Sequence, residues 1–338
     1  MNCSSKEEEV YMPVAYELKI PQLFKEKLIQ PILPVNNLLT EEGVALGKKL
    51  FFDTILSGDN TQSCATCHSP KKAFTDNLKV SFGIDNIPGN RNVMPLFNMA
   101  WNFDEKFAWD GKDFSLENQA LEPVSNPIEM HADWKKVAEK IKNHPEYPLL
   151  FKQAFGTSKI DSTQITKAIA QFERTLVSGN SKFDKFLLGE DTLTVEEQNG
   201  FNVFMDEAKG DCFHCHGSDN NPLWTDNQFH NNGLDTNFSD LGLGSVTGDP
   251  ADNGKFKSPS IRNLKFTAPY MHDGRFFTLE EVINHYSEGL QSSSTIDPLM
   301  KKVNQGGVGL SAKDKADLKA FLLTLSDNDF INNSNFQE

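Results

Sequence analysis

Two short stretches constrain this chain more than anything else in it: Cys64-Ala-Thr-Cys67-His68 and Cys212-Phe-His-Cys215-His216. Thiols three residues apart fall on one helical turn, and an imidazole follows each pair. This is the attachment spacing of a c-type haem: both thiols add to the vinyl groups of one porphyrin, and the adjacent His lies under the iron. A redox dithiol would not need the His that follows. A zinc centre joining the two motifs would not need a terminal His on each. Two complete copies therefore point to two covalent haems, held by Cys64, Cys67, Cys212 and Cys215, with His68 and His216 as iron ligands. The covalent bonds hold the macrocycle and the imidazole sets its electronics.

At 338 residues the chain favours two domains, and a hydrophobic content of 38% is enough for packed cores. The mean hydropathy of -0.47 and the lack of a long apolar run exclude a transmembrane helix. A net charge of -14 argues against nucleic acid as a partner and is compatible with a basic protein partner. Four of the five cysteines belong to the two motifs, so no structural disulfide is expected. Haem is attached to such chains outside the bacterial cytoplasm, so an export signal is expected to have preceded Met1. The fifth cysteine opens Cys3-Ser-Ser-Lys-Glu-Glu-Glu, which resembles the mature start of a bacterial lipoprotein with lipid on its first Cys. The expected location is the periplasmic side, membrane-anchored through Cys3; the alternative is a stray thiol on a disordered tail.

Residues 1–20 read as a flexible tether. Thr40 can N-cap a helix running through Val44, Leu46, Leu50 and Phe51 to the first motif. The design returns in Thr194-Val-Glu-Glu197, a capping box ahead of Phe201, Val203 and Phe204 and the second motif. Phe74-Thr-Asp-Asn77 follows the first motif and Trp224-Thr-Asp-Asn227 the second. Each half closes with an amphipathic helix, one bearing Ile165, Ile169, Phe172 and Leu176, the other starting at Ser311 and bearing Leu318, Phe321, Leu322 and Leu325. The expectation is a mainly α protein of two cytochrome c-like helical domains, residues 21–180 and 181–338, with long haem-wrapping loops, arising from an internal duplication. The Gly/Asn/Asp-rich segment 217–254 is one such loop.

Between the two modules stand Trp109-Asp-Gly-Lys, Glu117-Asn-Gln119-Ala, Pro123 and Asn126-Pro-Ile-Glu129-Met130. With the two Cys-x-x-Cys-His motifs, this resembles the bacterial dihaem cytochrome c peroxidase and MauG family, from about Thr40 to Leu325. A haem that activates peroxide needs an open distal face and a proton relay. A loop folded about Pro123 could bring Gln119 and Glu129 to that face, where a carboxylate can take a proton from one peroxide oxygen and return it to the other. Burial would raise its pKa for that role, and Gln119 can position the peroxide. The resemblance makes Glu129 the acid–base residue, Gln119 a pocket residue and Trp109 the indole between the haems; Phe103 and Phe107 read as ordinary core aromatics. It further implies a calcium ion held by Asn92, Thr267 and the carbonyl of Pro269, and Arg262 as partner of a haem propionate. Relatives also form dimers, which makes a homodimer an expectation.

Two departures from the family pattern stand out. The loop that supplies a blocking His in many dihaem peroxidases reads Phe82-Gly-Ile-Asp-Asn-Ile-Pro-Gly89 here, without His, and His131 reads as a pocket-edge residue. The distal Met of the second haem is replaced: the matching position after Tyr270-Met-His-Asp-Gly274 is Tyr286. A Tyr ligand resembles MauG and favours ferric and higher-valent iron; Met271, His285 and Met300 are competitors. The reading is a peroxidase that reduces hydrogen peroxide with electrons from a small redox protein such as a c-type cytochrome. The alternatives are MauG-like oxidation of a partner protein's side chains and a non-enzymatic electron carrier. The first haem would be peroxidatic and the second would collect electrons.

Overall fold

The computed structural model describes residues 11–338, so Cys3 lies outside the described residues. The chain is mainly helical: α1 (Gln22–Lys27), α2 (Glu41–Phe52), α3 (Cys64–Cys67), α4 (Leu116–Gln119), α5 (Leu121–Ser125), α6 (Trp134–Lys142), α7 (Tyr147–Phe155), α8 (Ser162–Arg174), α9 (Lys182–Leu187), α10 (Val195–Met205), α11 (Phe213–His216), α12 (Gly244–Thr247), α13 (Leu279–Glu288), α14 (Ala312–Thr324) and α15 (Asn328–Ile331). The only named strands among the described residues are β1 (Phe229–His230) and β2 (Phe256–Lys257), antiparallel within the long loop. No described helix is long and apolar enough to cross a membrane.

The helix starts follow from local chemistry. The Thr40 hydroxyl accepts from the amide of Gly43 at 3.0 Å. Capping boxes open α10 at Thr194/Glu197 and α14 at Ser311/Asp314, each satisfying amides that the first helical turn leaves unpaired.

The two halves are assembled alike. In the first, α2 lies across α8, and a Cβ at Gly47 would sit 1.8 Å from the carbonyl oxygen of Ala168. In the second, α10 lies across α14, and a Cβ at Gly200 would sit 1.9 Å from that of Asp317. Only glycine permits such backbone contact. Around each crossing an aromatic core closes: Phe51 meets Phe172 edge-on at 5.3 Å, and Phe183 meets Phe321 at 5.1 Å. Each fully buried Phe contributes roughly 1.5–3 kcal/mol by burial alone.

Three segments depart from expectation. Residues 11–20 are not a free tether: Tyr16 donates its amide to Leu39, and the Tyr11 hydroxyl donates to the carbonyl of Ala154 at 2.6 Å. The chain end crosses back over the boundary at Ser178, with Phe330 packing on Phe74 at 5.6 Å and on Phe97 at 5.8 Å. Asp327 pins the boundary loop, accepting from the Ser178 hydroxyl and the amides of Gly179 and Asn180. Phe107 is buried as expected, but Phe103 is 40% exposed and forms no part of a core.

Candidate haem sites

α3 presents Cys64 and Cys67 from a single turn, and His68 caps it. The imidazole Nδ1 lies 2.9 Å from the carbonyl of Phe74. A carbonyl only accepts, so Nδ1 carries the proton and Nε2 keeps its lone pair for a metal. The left-handed pair Ala73 (φ 49°) and Phe74 (φ 62°) turns that carbonyl inward. Burial lowers the His68 pKa, keeping the ring neutral, as a ligand must be.

The segment 116–131 approaches this site, with Glu129 near enough to Cys67 for their charges to interact. Glu117 anchors α4 to α8 through a two-pronged pair with Arg174 (2.7 and 3.0 Å) and accepts from Asn37. Gln119 ends α4 half-buried, its side-chain amide making no hydrogen bond among the described residues. The chain then turns back on α5, Met130 donating to the carbonyl of Pro123 at 3.1 Å. This places Glu129 half-buried, its Oε1 accepting from Asn126 Nδ2 at 2.8 Å. Burial and the neighbouring Glu122 raise its carboxyl above the usual range, against Asn126 and Lys112. Its charge in turn raises the Cys67 thiol, after burial and Asp76 and against the Ser81 hydroxyl. Cys67 and Glu129 thus feel each other electrostatically.

The loop 82–89 braces Glu129 from behind. Ile84 donates to the Glu129 carbonyl at 2.9 Å, and a Cβ on Gly83 would lie 2.3 Å from the carbonyl oxygen of Ile128. His131 Nδ1 meets Asp85 at 2.5 Å on the exposed rim. Met99 packs with Phe107 and Leu116.

Trp109 is 8% exposed between the halves. Its Nε1 donates to the carbonyl of Asn92 at 2.8 Å, and its own carbonyl accepts from Lys257 at 2.9 Å.

α11 carries the second set. His216 Nδ1 lies 3.3 Å from the carbonyl of Pro259, again leaving Nε2 free, and burial pushes its pKa down to about 4. Burial also pushes the Cys212 thiol up to about 12. Tyr286 projects from α13. Its hydroxyl accepts from Asn232 Nδ2 at 3.0 Å, and burial pushes its pKa up to about 12, with Cys215 and Cys212 close enough to add to the rise. The Met271 sulfur shares the same amide at 3.5 Å. His285 is engaged, its Nε2 3.2 Å from the carbonyl of Asn232 and its ring against Phe276.

Arg262 corrects one expectation. Its side chain is wholly enclosed, with both NH groups on Asp184 and Nε on the carbonyl of Pro222 at 2.6 Å. No face is left for a propionate; the guanidinium instead neutralises a buried carboxylate. At the expected calcium position, the amide of Asn92 donates to the carbonyl of Leu78 at 2.9 Å, and its backbone N–H meets the carbonyl of His272 at 2.7 Å. Thr267 is buried, and Asn77 Nδ2 donates to the carbonyls of Phe266 and Ala268.

All four thiols are free, each pair on one turn with a neutral imidazole whose outer nitrogen is anchored. That donor set fits haem c at both places. Sequence reasoning missed Asn126, Ser81 and Asn232. Only Asn126 had a signal, its place in the Asn-Pro-Ile-Glu run.

Residues 41–192 match the family model of the di-haem cytochrome c peroxidases. The methylamine utilization protein MauG of Methylorubrum extorquens is 40% identical over 301 residues, covering 86% of this chain and 80% of that protein. The cytochrome c551 peroxidase of Nitrosomonas europaea is 37% identical, covering 75% and 76%. The crystal structure of a MauG-like protein associated with microbial copper homeostasis superposes with a TM-score of 0.86 at 35% identity, over 96% of this chain and 99% of that one. The chain belongs to the di-haem cytochrome c peroxidase family, and two haem c groups are its cofactors.

Proposed function

We propose that this protein is a periplasm-side peroxidase that reduces hydrogen peroxide to two waters, with two protons and two electrons. A small redox protein such as a c-type cytochrome delivers the electrons one at a time. The observation that carries the reading is Glu129: a half-buried carboxylate whose charge reaches the Cys67 thiol, braced by Asn126 and by the 82–89 loop. When bound, the haems would supply the two electrons that heterolytic O–O cleavage consumes. Glu129 takes the proton from one peroxide oxygen and hands it to the departing one, so that water leaves rather than hydroxide. The unengaged amide of Gln119 orients the peroxide. Trp109, joined by hydrogen bonds to both halves, lies on the route between the two sites. A steady-state assay of peroxide-dependent oxidation of a reduced c-type cytochrome tests this; no turnover with any such donor would oppose it.

A second reading, MauG-like oxidation of a partner protein's side chains, is favoured by Tyr286, which is buried near Cys212 and Cys215 and would be the second ligand of that haem. Under either reading the two halves descend from one duplicated module. Asn92, Thr267 and the carbonyl of Pro269 would hold calcium, a set of oxygen donors suited to that ion. Lipid on Cys3 would tether the chain to the membrane.

A further inference from the structure

The two halves place the same acidic residue against the second cysteine of each motif, and surround it differently. In Phe74-Thr-Asp76-Asn77 and Trp224-Thr-Asp226-Asn227 the first and last residues adopt the same left-handed turns, φ 62° and 59° against 56° and 59°. Asp76 accepts from the hydroxyl of Ser81, which also meets Cys67. That partner is neutral. Asp226 donates its amide to the carbonyl of Cys215 at 3.0 Å, and its Oδ2 lies 2.8 Å from Nε2 of His230. The other ring nitrogen of His230 lies 2.6 Å from Oδ2 of Asp297. Carboxylates only accept, so both ring nitrogens carry protons and the ring is a cation. The Cys215 sulfur, an Asp226 oxygen and a His230 nitrogen lie within 4.8 Å of one another.

We propose that the Asp226–His230–Asp297 triad is a fixed charge array that tunes the reduction potential of the second haem, the His230 imidazolium at the Cys215 edge raising it and the two carboxylates lowering it. A cation beside the attachment sulfur favours the form of the haem that carries the extra electron. Both carboxylates hold the imidazolium in place; burial opposes it, and the hydrogen bonds to Asp226 and Asp297 raise the His230 pKa, with a further rise from the Cys215 sulfur that haem attachment would remove. The cluster is not a metal site in the mature protein, because the thiol belongs to the haem and both ring nitrogens are engaged. The inference rests on the assignment of the second haem to Cys212, Cys215 and His216.

The test is a reductive titration of the holoprotein, followed by absorption and EPR, with intact-mass measurement of attached haem. Each step moves one electron from the titrant to a ferric haem, with no bond made or broken. His230→Gln removes the cation and should lower the second potential, by about tenfold in the reduction equilibrium or about 59 mV. Asp297→Asn removes an anion while Asp226 retains the imidazolium, and should raise it. The first potential should stay in place in both. Shifts of the same sign, no shift, or equal movement of both haems would overturn the proposal, since a merely structural triad predicts no opposition of sign. If His230→Gln fails to mature, the Asp297→Asn shift decides alone: upward supports, unchanged or downward overturns. A wild-type protein lacking the haem on Cys212 and Cys215 would overturn the site assignment and the inference together. Two haems with unmoved potentials would overturn the inference alone.

Discussion

The side-chain amide of Asn126 donates to Oε1 of Glu129 at 2.8 Å, three residues away in one turn. That contact fixes the carboxylate without neutralising it. Glu129→Gln keeps the shape and removes the base, so peroxide turnover should fall by about 10²–10⁴-fold with both haems retained. The pH profile gives a second reading. The burial-raised carboxyl must be ionised to accept a proton, so the wild-type rate should fall as pH drops through a pKa above 4.5. The variant should lack that limb. An unchanged rate, or an unchanged limb, would remove Glu129 from the mechanism.

Tyr286 and Met271 share the amide of Asn232 in the second site. Tyr286→Phe should abolish the low-spin ferric EPR signal of the second haem and leave the first signal in place. Persistence of that signal would transfer the ligand role to Met271.

Glu173, near the end of α8, is almost wholly buried, with Oε2 lacking any partner among the described residues. Burial first, opposed by Arg174 and helped by Glu117, pushes its carboxyl up to about 8 from 4.5. Between those values the folded chain holds a proton that the unfolded chain has released, so stability must fall as pH rises from 4.5 to about 8. Glu173→Gln should flatten that slope and stabilise the protein above the window, by on the order of 1 kcal/mol or more. Denaturant unfolding on both sides of the window measures it; parallel slopes would contradict the assignment.

Arg262 and Asp184 form a buried pair in the second core. Arg262→Leu strands the carboxylate and should cost about 3–5 kcal/mol. A near-neutral effect in the holoprotein would show that Asp184 finds another partner.

What could be read from the sequence was local or covalent in origin. Helix caps at Thr40, Thr194 and Ser311 depend on neighbours three residues away, and haem attachment demands a fixed spacing, so both were legible. The role of Arg262 was not, because its partner Asp184 lies 78 residues away. Residues 11–20 read as a tether because nothing in their own sequence points to the edge at Leu39, 23 residues away, that pairs with Tyr16. The acid–base role proposed for Glu129 was legible only through family likeness, since an isolated Glu carries no sign of the loop that will brace it. The cation at His230 was hidden for the same reason: Asp297 joins it across 67 residues.

The first site, as proposed, stands ready for peroxide in the oxidised protein. The loop 82–89 carries no imidazole, Met99 is taken into a core, and His131 is held on the rim by Asp85. The most direct measurement is the EPR spectrum of the resting ferric protein, followed by addition of hydrogen peroxide. The account predicts a high-spin signal beside a low-spin one, and immediate reaction with peroxide without prior reduction. Two low-spin signals, with a protein inert until one electron is added, would contradict it.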